Sequence, residues 1–196
     1  DSDGSLWGDI LDALKKFGYN LQEEFKPKQG SIYTLGSLTL NKNASIMGTY
    51  DCLVQGQCVL RQDALIYLGH DFTCMASSLN VNIDSIKGNT SLAGFDSRGT
   101  SSADGQTSFP VLIYADNNIN INTTIDMRLT YLVANKGDVN LFNFYSKADN
   151  AEYNAKQLPN SIASYQGNIK YFAGYGELGA LFYAPNGKLD FDGWYQ

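Results

Sequence analysis

The sequence is poor in the residue types that most enzyme and metal sites require. Its 196 residues include a single His and three Cys. A protein zinc site needs four nitrogen or sulfur ligands, or three with help from a carboxylate. A Cys3His set of Cys52, Cys58, Cys74 and His70 can be written, but it lacks the closely spaced Cys pairs of such sites. The motifs G-x-S-x-G and G-x-x-x-x-G-K-[ST] are absent, and so is G-x-G-x-x-G at a strand–helix junction. We therefore predict no enzymatic activity, no metal and no cofactor.

Basic residues and long apolar runs are also scarce. The chain has 14 Lys and Arg against 20 Asp and Glu, which gives a net charge of −6. Domains that bind nucleic acids cluster their basic residues, so the composition excludes a nucleic-acid partner. No apolar run reaches the roughly 18 residues of a membrane-spanning helix. The acidic start, Asp1-Ser-Asp-Gly, is unlike the basic start of a signal peptide, which predicts a trimmed or a cytosolic chain.

One helix is predicted, in a chain whose composition otherwise disfavours helices. The 18 Asn residues compete for backbone hydrogen bonds and favour turns. Segment 5–17 is the exception, because its large apolar residues recur at three- and four-residue spacing, which places them on one face. These residues are Leu6, Trp7, Ile10, Leu11, Leu14 and Phe17. We predict that residues 1–29 form an N-terminal capping helix and a linker.

From about residue 30 the sequence repeats itself with a period near 20. Residues 36–48 align with residues 56–69 at an offset of 20, and each copy alternates apolar with polar residues between Gly and Asn turns. The aligned pairs are Leu38 with Cys58, Leu40 with Leu60, Ala44 with Ala64 and Ile46 with Ile66. A third copy starts near Ser78, and we predict that its Leu79 and Val81 stack on the second copy.

A second repeat pattern occupies the later part of the chain. It consists of two large apolar residues, Ala, a turn rich in Asn and Gly, and then an apolar-polar-apolar run. The three copies are 113–121, 132–141 and 182–191. Ala134 and Ala184 lie 50 residues apart, so at least one further unit or an insertion separates the last two copies.

Repeats of this length indicate one supersecondary unit per repeat, stacked on its neighbours. Leucine-rich repeats are excluded because their signature and their helical half are missing. We predict an all-β fold, a right-handed parallel β-helix with coils of about 20 residues over 30–196, closed at its start by the α-helical cap. Two insertions are expected, an exposed polar loop near 94–110 and a segment near 143–164 that holds a short helix before Pro159.

Two cysteines occupy similar positions in neighbouring coils. Cys52 and Cys74 are 22 residues apart, and stacked neighbours about 4.8 Å apart can be joined by a disulfide without strain. The sequence favours this pair, with Cys58 left as a buried core residue. A Cys52–Cys58 bridge across a turn and the absence of any disulfide remain the alternatives.

The candidate interaction residues fall in two regions. Trp194, Tyr195 and Tyr175 belong to an aromatic-rich C-terminal stretch, and aromatic side chains are common in binding surfaces. Arg98 and Asp104 lie in the loop predicted at 94–110. Because a solenoid has an unpaired edge at each end, we expect its C-terminal edge to bind a protein partner or another copy of the chain. Surface glycans are the second kind of partner.

The C-terminal repeat resembles a known bacterial family. Residues 179–193 read Gly-Ala-Leu-Phe-Tyr-Ala-Pro-Asn-Gly-Lys-Leu-Asp-Phe-Asp-Gly. This phrase resembles the end of the C-terminal repeat domain of PilX-like, type IV pilus-associated surface proteins, and residues 30–193 resemble the preceding coils. The resemblance implies a secreted or membrane-tethered β-solenoid, and it brings no catalytic residues.

The function expected from these features is structural. We predict an extracellular or cell-surface module of a pilus or another surface filament, secreted or tethered through a removed N-terminal segment. Its rigid rod would present loops and support adhesion. Two alternatives remain: a carbohydrate-binding or polysaccharide-degrading β-helix, and a self-assembling filament protein similar to bactofilins.

Overall fold

The protein is described from a computed structural model that covers residues 31–75, 93–103, 106–146, 160–173 and 178–193. These residues form 18 β-strands, and none of them lies in a helix. The predicted all-β class is therefore confirmed. The capping helix predicted at 5–17 lies outside the described residues.

Most strands belong to two parallel sheets, because each strand pairs with a strand of the preceding or following repeat. Sheet A has ten strands, and sheet B has six. The strands of sheet A are β1 Ile32–Thr34, β2 Leu38–Leu40, β4 Cys52–Val54, β5 Cys58–Leu60, β7 Phe72–Cys74, β8 Phe95–Arg98, β12 Ile119–Arg128, β14 Val139–Ser146, β16 Ile169–Ala173 and β18 Leu189–Gly193. Those of sheet B are β3 Ser45–Gly48, β6 Leu65–Leu68, β11 Val111–Ala115, β13 Thr130–Ala134, β15 Asn160–Ser164 and β17 Ala180–Tyr183.

The parallel pairing repeats with an offset of 20 residues. Ile32 lies opposite Cys52, and Cys52 lies opposite Phe72. The offset rises to 47 between Phe72 and Ile119, and to 30 between Val139 and Ile169, where the chain makes an excursion before it returns to the sheet. We call each set of strands between two such returns a layer.

The first repeat alignment is confirmed for two copies and is wrong for the third. Leu38 pairs with Cys58, and Leu40 pairs with Leu60. The next partner of Cys58 is Phe95, so Leu79 does not occupy this position. Both segments carry apolar residues that alternate with polar ones, and alternation alone does not decide which of them completes a layer.

The core lies between the inner faces of the two sheets. Successive residues of a strand point to opposite faces, and the inward-pointing residues form one apolar cluster. Phe72 and Phe95, both 0% exposed, meet edge to face in this cluster with their ring centroids 6.5 Å apart. Continuous stacking of like residues therefore makes one core that runs through all the layers.

The region predicted as an exposed polar loop at 94–110 is mostly strand. Phe95–Arg98 forms β8 between β5 and β12, and Thr100–Ser101 (β9) pairs antiparallel with Ser108–Phe109 (β10). The exposed-loop prediction is therefore wrong for these residues. The many Ser and Gly residues suggested a loop, but the buried Ser97 hydroxyl is paired with that of Thr130 at 2.6 Å.

The second predicted insertion, 143–164, is strand at both described ends. β14 continues to Ser146, and β15 begins at Asn160. The short helix predicted before Pro159 lies outside the described residues.

A row of side-chain hydrogen bonds runs along the turn that precedes sheet A. In each layer a carboxylate or amide oxygen accepts the backbone N–H of the equivalent residue in the next layer. The pairs, acceptor first, are Asp51 with Asp71 at 2.9 Å, Asp71 with Asn118 at 2.9 Å, Asn118 with Asp138 at 2.8 Å, Asp138 with Asn168 at 2.8 Å and Asn168 with Lys188 at 2.9 Å. Short Asn and Asp side chains can satisfy turn N–H groups in this way, which gives a structural reason for part of the high Asn content.

Candidate functional site

The last layer exposes residues that are buried in every central layer. Leu189 and Phe191 on β18 point toward the core side of sheet A, yet they are 48% and 51% exposed. Their equivalents one layer earlier in β16 include Ile169, which is 0% exposed. Within the described residues, β18 pairs on one edge only. This end of the stack therefore offers apolar side chains together with unpaired backbone groups.

An aromatic cluster supports this surface from below. Phe191 meets Phe182 edge to face at 4.9 Å and lies 6.2 Å from Tyr171. Burial raises the pKa of Tyr171, although a hydrogen bond with Asn143 opposes the shift. The cluster is a packed base, so Phe191 is held in a defined position at the open end.

Four of the residues predicted to make contacts cannot be placed on this surface. Trp194, Tyr195, Tyr175 and Asp104 lie outside the described residues. The run that contains Leu189 and Phe191 reads as a strand in the sequence, but its alternation does not show that this strand ends a stack. Sequence reasoning therefore missed these two residues as contact candidates.

Arg98 lies in a charged cluster on the outer face of sheet A. Its guanidinium donates to Asp96 at 2.7 Å and to Asp126 at 2.9 Å, and Asp96 and Asp126 are register partners on adjacent strands. Arg61 also donates to Asp96, at 2.9 Å. Both carboxylates are almost fully buried, with 6% and 2% exposure. Arg98 thus bridges two carboxylates that would otherwise repel each other.

The electrostatics of Arg98 match a bridging role. Burial alone would lower the pKa of its guanidinium, but the hydrogen bonds and charges of Asp96 and Asp126 outweigh burial and raise it. A buried ion pair that loses one partner leaves an uncompensated charge. The position of Arg98 therefore favours a structural contribution to sheet A, and a contact with a partner would have to compete with these two carboxylates.

The three cysteines are buried, and none of them is bonded to another. Cys52 lies opposite Phe72, and Cys74 lies opposite Val54, so the predicted stacking of Cys52 on Cys74 is wrong. The two residues are separated by 22 positions, whereas the register advances by 20. A disulfide between them is accordingly not formed in the structure.

The thiols lie close enough to affect one another. Gly94 O accepts the N–H of Cys58 at 2.7 Å and the Sγ–H of Cys74 at 3.7 Å. A hydrogen bond to Cys74, followed by burial, raises the pKa of the Cys58 thiol, and burial raises that of Cys52 to about 11. Thiolates are the reactive form of cysteine, so all three thiols are held in their unreactive state.

The structure offers no place for the Cys3His zinc set. His70 is exposed at a turn, while the three thiols point into the core. Across the described ranges, no group of three or more His, Cys, Asp or Glu side chains is arranged to hold a metal ion.

Phe142 and Phe172 form a second aromatic feature, on the outer face of sheet A. Their rings stack face to face, with centroids 4.4 Å apart and planes inclined by 8°. A sugar ring stacks on the face of an aromatic ring, and here each ring covers a face of the other. The pair therefore supports the pairing of β14 with β16 rather than offering a flat platform.

Comparison with known proteins adds no relative. No protein-family model, no curated protein and no solved structure matches the chain. In the part of the chain that is described, no helix has the length and apolar character needed to cross a membrane. The functional argument therefore depends on the geometry alone.

Proposed function

We propose that the two parallel sheets are the walls of a right-handed parallel β-helix, and that this rod is a structural or adhesive module of a bacterial surface filament. The open end of the stack carries the proposal. There, the apolar side chains of Leu189 and Phe191 stand half exposed beside an unpaired strand edge.

Such an end is suited to pairing with a strand of another protein. An unpaired parallel strand offers N–H and C=O groups in a regular row, and an added strand gains main-chain hydrogen bonds and pockets for alternate side chains. In the proposed module a filament subunit supplies that strand, and the rod holds the rest of its surface away from the filament. The resemblance of residues 30–193 to PilX-like repeat domains supports the same assignment to an extracellular, pilus-associated protein.

The described residues also support a role without catalysis. The charged residues with the strongest pairing, Asp96, Asp126 and Arg98, neutralise one another at 2.7–2.9 Å. A general acid or base needs a free proton-accepting position near a substrate site. The outer faces instead carry rows of Asn, Asp and Lys that bond to equivalent residues in neighbouring layers, as Asn140 does to Asn120 at 2.9 Å.

Immunogold electron microscopy of intact source cells tests the location and the assembly. With antibodies against the full chain, we expect gold particles along surface filaments. Label confined to the cytoplasm would overturn the proposal. Filaments that form from the purified chain alone would instead support the alternative of a self-assembling protein similar to bactofilins.

A pair of variants on β18 tests the open end. Phe191→Asp places a charge on the apolar end, while Asp190→Asn changes the opposite face of the same strand. We expect Phe191→Asp to remove the label from filaments and Asp190→Asn to leave it in place, with circular dichroism confirming that both variants fold. Equal labelling of the two variants would exclude this end as the attachment surface.

A further inference from the structure

The outer face of sheet B, which points away from the shared core, is apolar and buried. Leu65, Leu112 and Val133 lie on this face, and they are 1%, 0% and 0% exposed. They alternate along their strands with residues of the core cluster, such as Ile66 and Leu132, so they point to the opposite side of the sheet. A sheet face left to solvent would not bury its side chains so completely.

The aromatic residues of this face are packed in the same way. Tyr67 and Tyr114 stack with centroids 4.5 Å apart and planes inclined by 7°, and Tyr114 is 8% exposed. Burial is the largest cause of the raised pKa of both phenols. The covered area stops toward the last layer, where Leu181 on β17 is 50% exposed.

No described strand accounts for this cover. The strands of sheet B contact one another and the sheet A strands that adjoin them along the chain, and no other described element lies over their outer face. The structure contains a single chain, so a second molecule is not the source of the burial. A segment of the same chain outside the described residues must supply the covering surface.

The sequence singles out one such segment. Residues 5–17 carry six large apolar residues on one face of a helix, as their three- and four-residue spacing shows. Residues 147–159 contain only Tyr153 and Leu158 as large apolar residues. Residues 76–92 have the alternation of a strand and many Ser and Asn residues, which give no apolar helical face.

The dimensions agree with this choice. The buried area crosses four adjacent strands, β6, β11, β13 and β15, and strands lie about 4.8 Å apart. A 13-residue helix is about 20 Å long, enough to cross all four. Residues 18–30 can span about 43 Å when extended, which lets the helix reach sheet B from β1.

We propose that residues 5–17 form an amphipathic helix that lies across the outer face of sheet B, with its apolar stripe against Leu112, Tyr114 and Val133. The helix then runs along the side of the stack, and it does not cap the edge of the first layer as the sequence alone suggested. The first-layer edge of β1, β2 and β3 stays open to another strand. This inference is independent of the proposed surface function.

Site-specific photo-crosslinking in the full chain tests the position of the helix. Leu11→p-benzoyl-phenylalanine places the probe on the apolar stripe, and Asp12→p-benzoyl-phenylalanine places it on the polar face. Mass spectrometry should map the crosslinks of the first probe to the peptides that contain residues 111–115 and 130–134, with none there for the second. Crosslinks from position 11 to residues 32–46, or only to a second molecule, would overturn the proposal.

Hydroxyl-radical footprinting gives an independent readout of the covered face. We expect Leu11→Asp combined with Leu14→Asp to raise the oxidation of Tyr67 and Tyr114 several-fold, because the helix can no longer pack there. Asp12→Asn, on the polar face, should leave their oxidation unchanged. Unchanged oxidation in the double variant would show that a different segment covers sheet B.

Discussion

Single buried amides tie successive layers together in this protein. The Asn160 side chain accepts the N–H of Thr130 and donates to Met127 O and Gly179 O, each at 3.0 Å. Asn160 is 2% exposed, so water cannot replace these bonds easily. The polarity of such a residue is therefore part of the fold, although the sequence presents it as one more turn-forming Asn.

Removing this amide should destabilise the protein strongly. Each buried polar group left without a partner costs about 1–3 kcal/mol, so we expect Asn160→Ala to lower the free energy of unfolding by about 3 kcal/mol. Urea denaturation followed by circular dichroism measures the change. Asn186→Ala is the control, because its amide makes one exposed bond, to Tyr165 O at 2.9 Å, and its effect should stay below about 0.5 kcal/mol. Equal losses in the two variants would show that the buried network adds nothing.

The carboxylate of Asp138 predicts a dependence of stability on pH. Burial opposes its ionisation, but the hydrogen bond from Lys170, at 2.8 Å, and the N–H of Asn168 outweigh burial and lower its pKa. A folded-state pKa below the unfolded value of about 3.9 stabilises the protein above that pH. This contribution is lost as the pH falls through the folded-state value.

Asp138→Asn isolates that contribution, since the amide oxygen still accepts the N–H of Asn168. The wild type should be more stable than Asp138→Asn at pH 7 by less than about 1 kcal/mol, because Lys170 is largely exposed. The difference should vanish below about pH 3, where the carboxylate is protonated. Urea denaturation at pH 7, 4 and 2.5 measures it, and a difference that persists at the lowest pH would contradict the assignment to charge.

At the scale of the elements, the turns between strands impose the tightest packing. Gly137, Gly167 and Gly187 stack above one another at one corner. A Cβ on Gly167 would collide with the carbonyl group of Gly137, and a Cβ on Gly187 would collide with that of Gly167. This corner therefore accepts no side chain, because the backbones of successive layers already touch there.

We expect Gly167→Ala to destabilise the fold by about 1–3 kcal/mol, since the added methyl group forces two backbones apart. Gly36→Ala is the matched control at another turn, where the nearest atom to the new Cβ would be Thr34 Oγ1 at 3.7 Å, an ordinary contact. Thermal unfolding of the two variants compares them. A loss in Gly36→Ala as large as in Gly167→Ala would show that chain flexibility, and not the close approach, decides the cost.

At the scale of the whole molecule, the stack has interior layers and end layers of the same composition. Phe95 in a central layer is 0% exposed, while Phe191 in the last described layer is 51% exposed. Both are inward-facing residues of sheet A with aromatic neighbours. The same side chain is thus a core residue in one layer and a surface residue in the other.

This difference predicts unequal effects of the same substitution. Phe95→Ala removes a fully buried ring and should cost about 3–5 kcal/mol, and Phe191→Ala should cost less than half of that because its ring is half solvated already. Urea denaturation of both variants tests the expectation. Similar losses would mean that the last layer is covered in solution, by the chain itself or by a second copy.

Much of this architecture could be predicted from local patterns. The pairing of Leu40 with Leu60 and of Ile46 with Ile66 follows from a 20-residue repeat that any observer of the sequence can align. Strand alternation and turn chemistry depend on neighbouring residues, so the sequence by itself determined the all-β class, the parallel pairing and the positions of most strands.

Other features depend on which segments meet in space, and only the tertiary structure decided them. Phe95 occupies the position predicted for Leu79, because an excursion of the chain separates sequence neighbours that the repeat would have stacked. Cys52 and Cys74 do not stack, because a register of 20 residues offsets a spacing of 22 by two positions. The burial of Leu112 on an outer face and of Asp126 beneath Arg98 likewise reflects contacts between distant segments, which leave no periodic signal in the sequence.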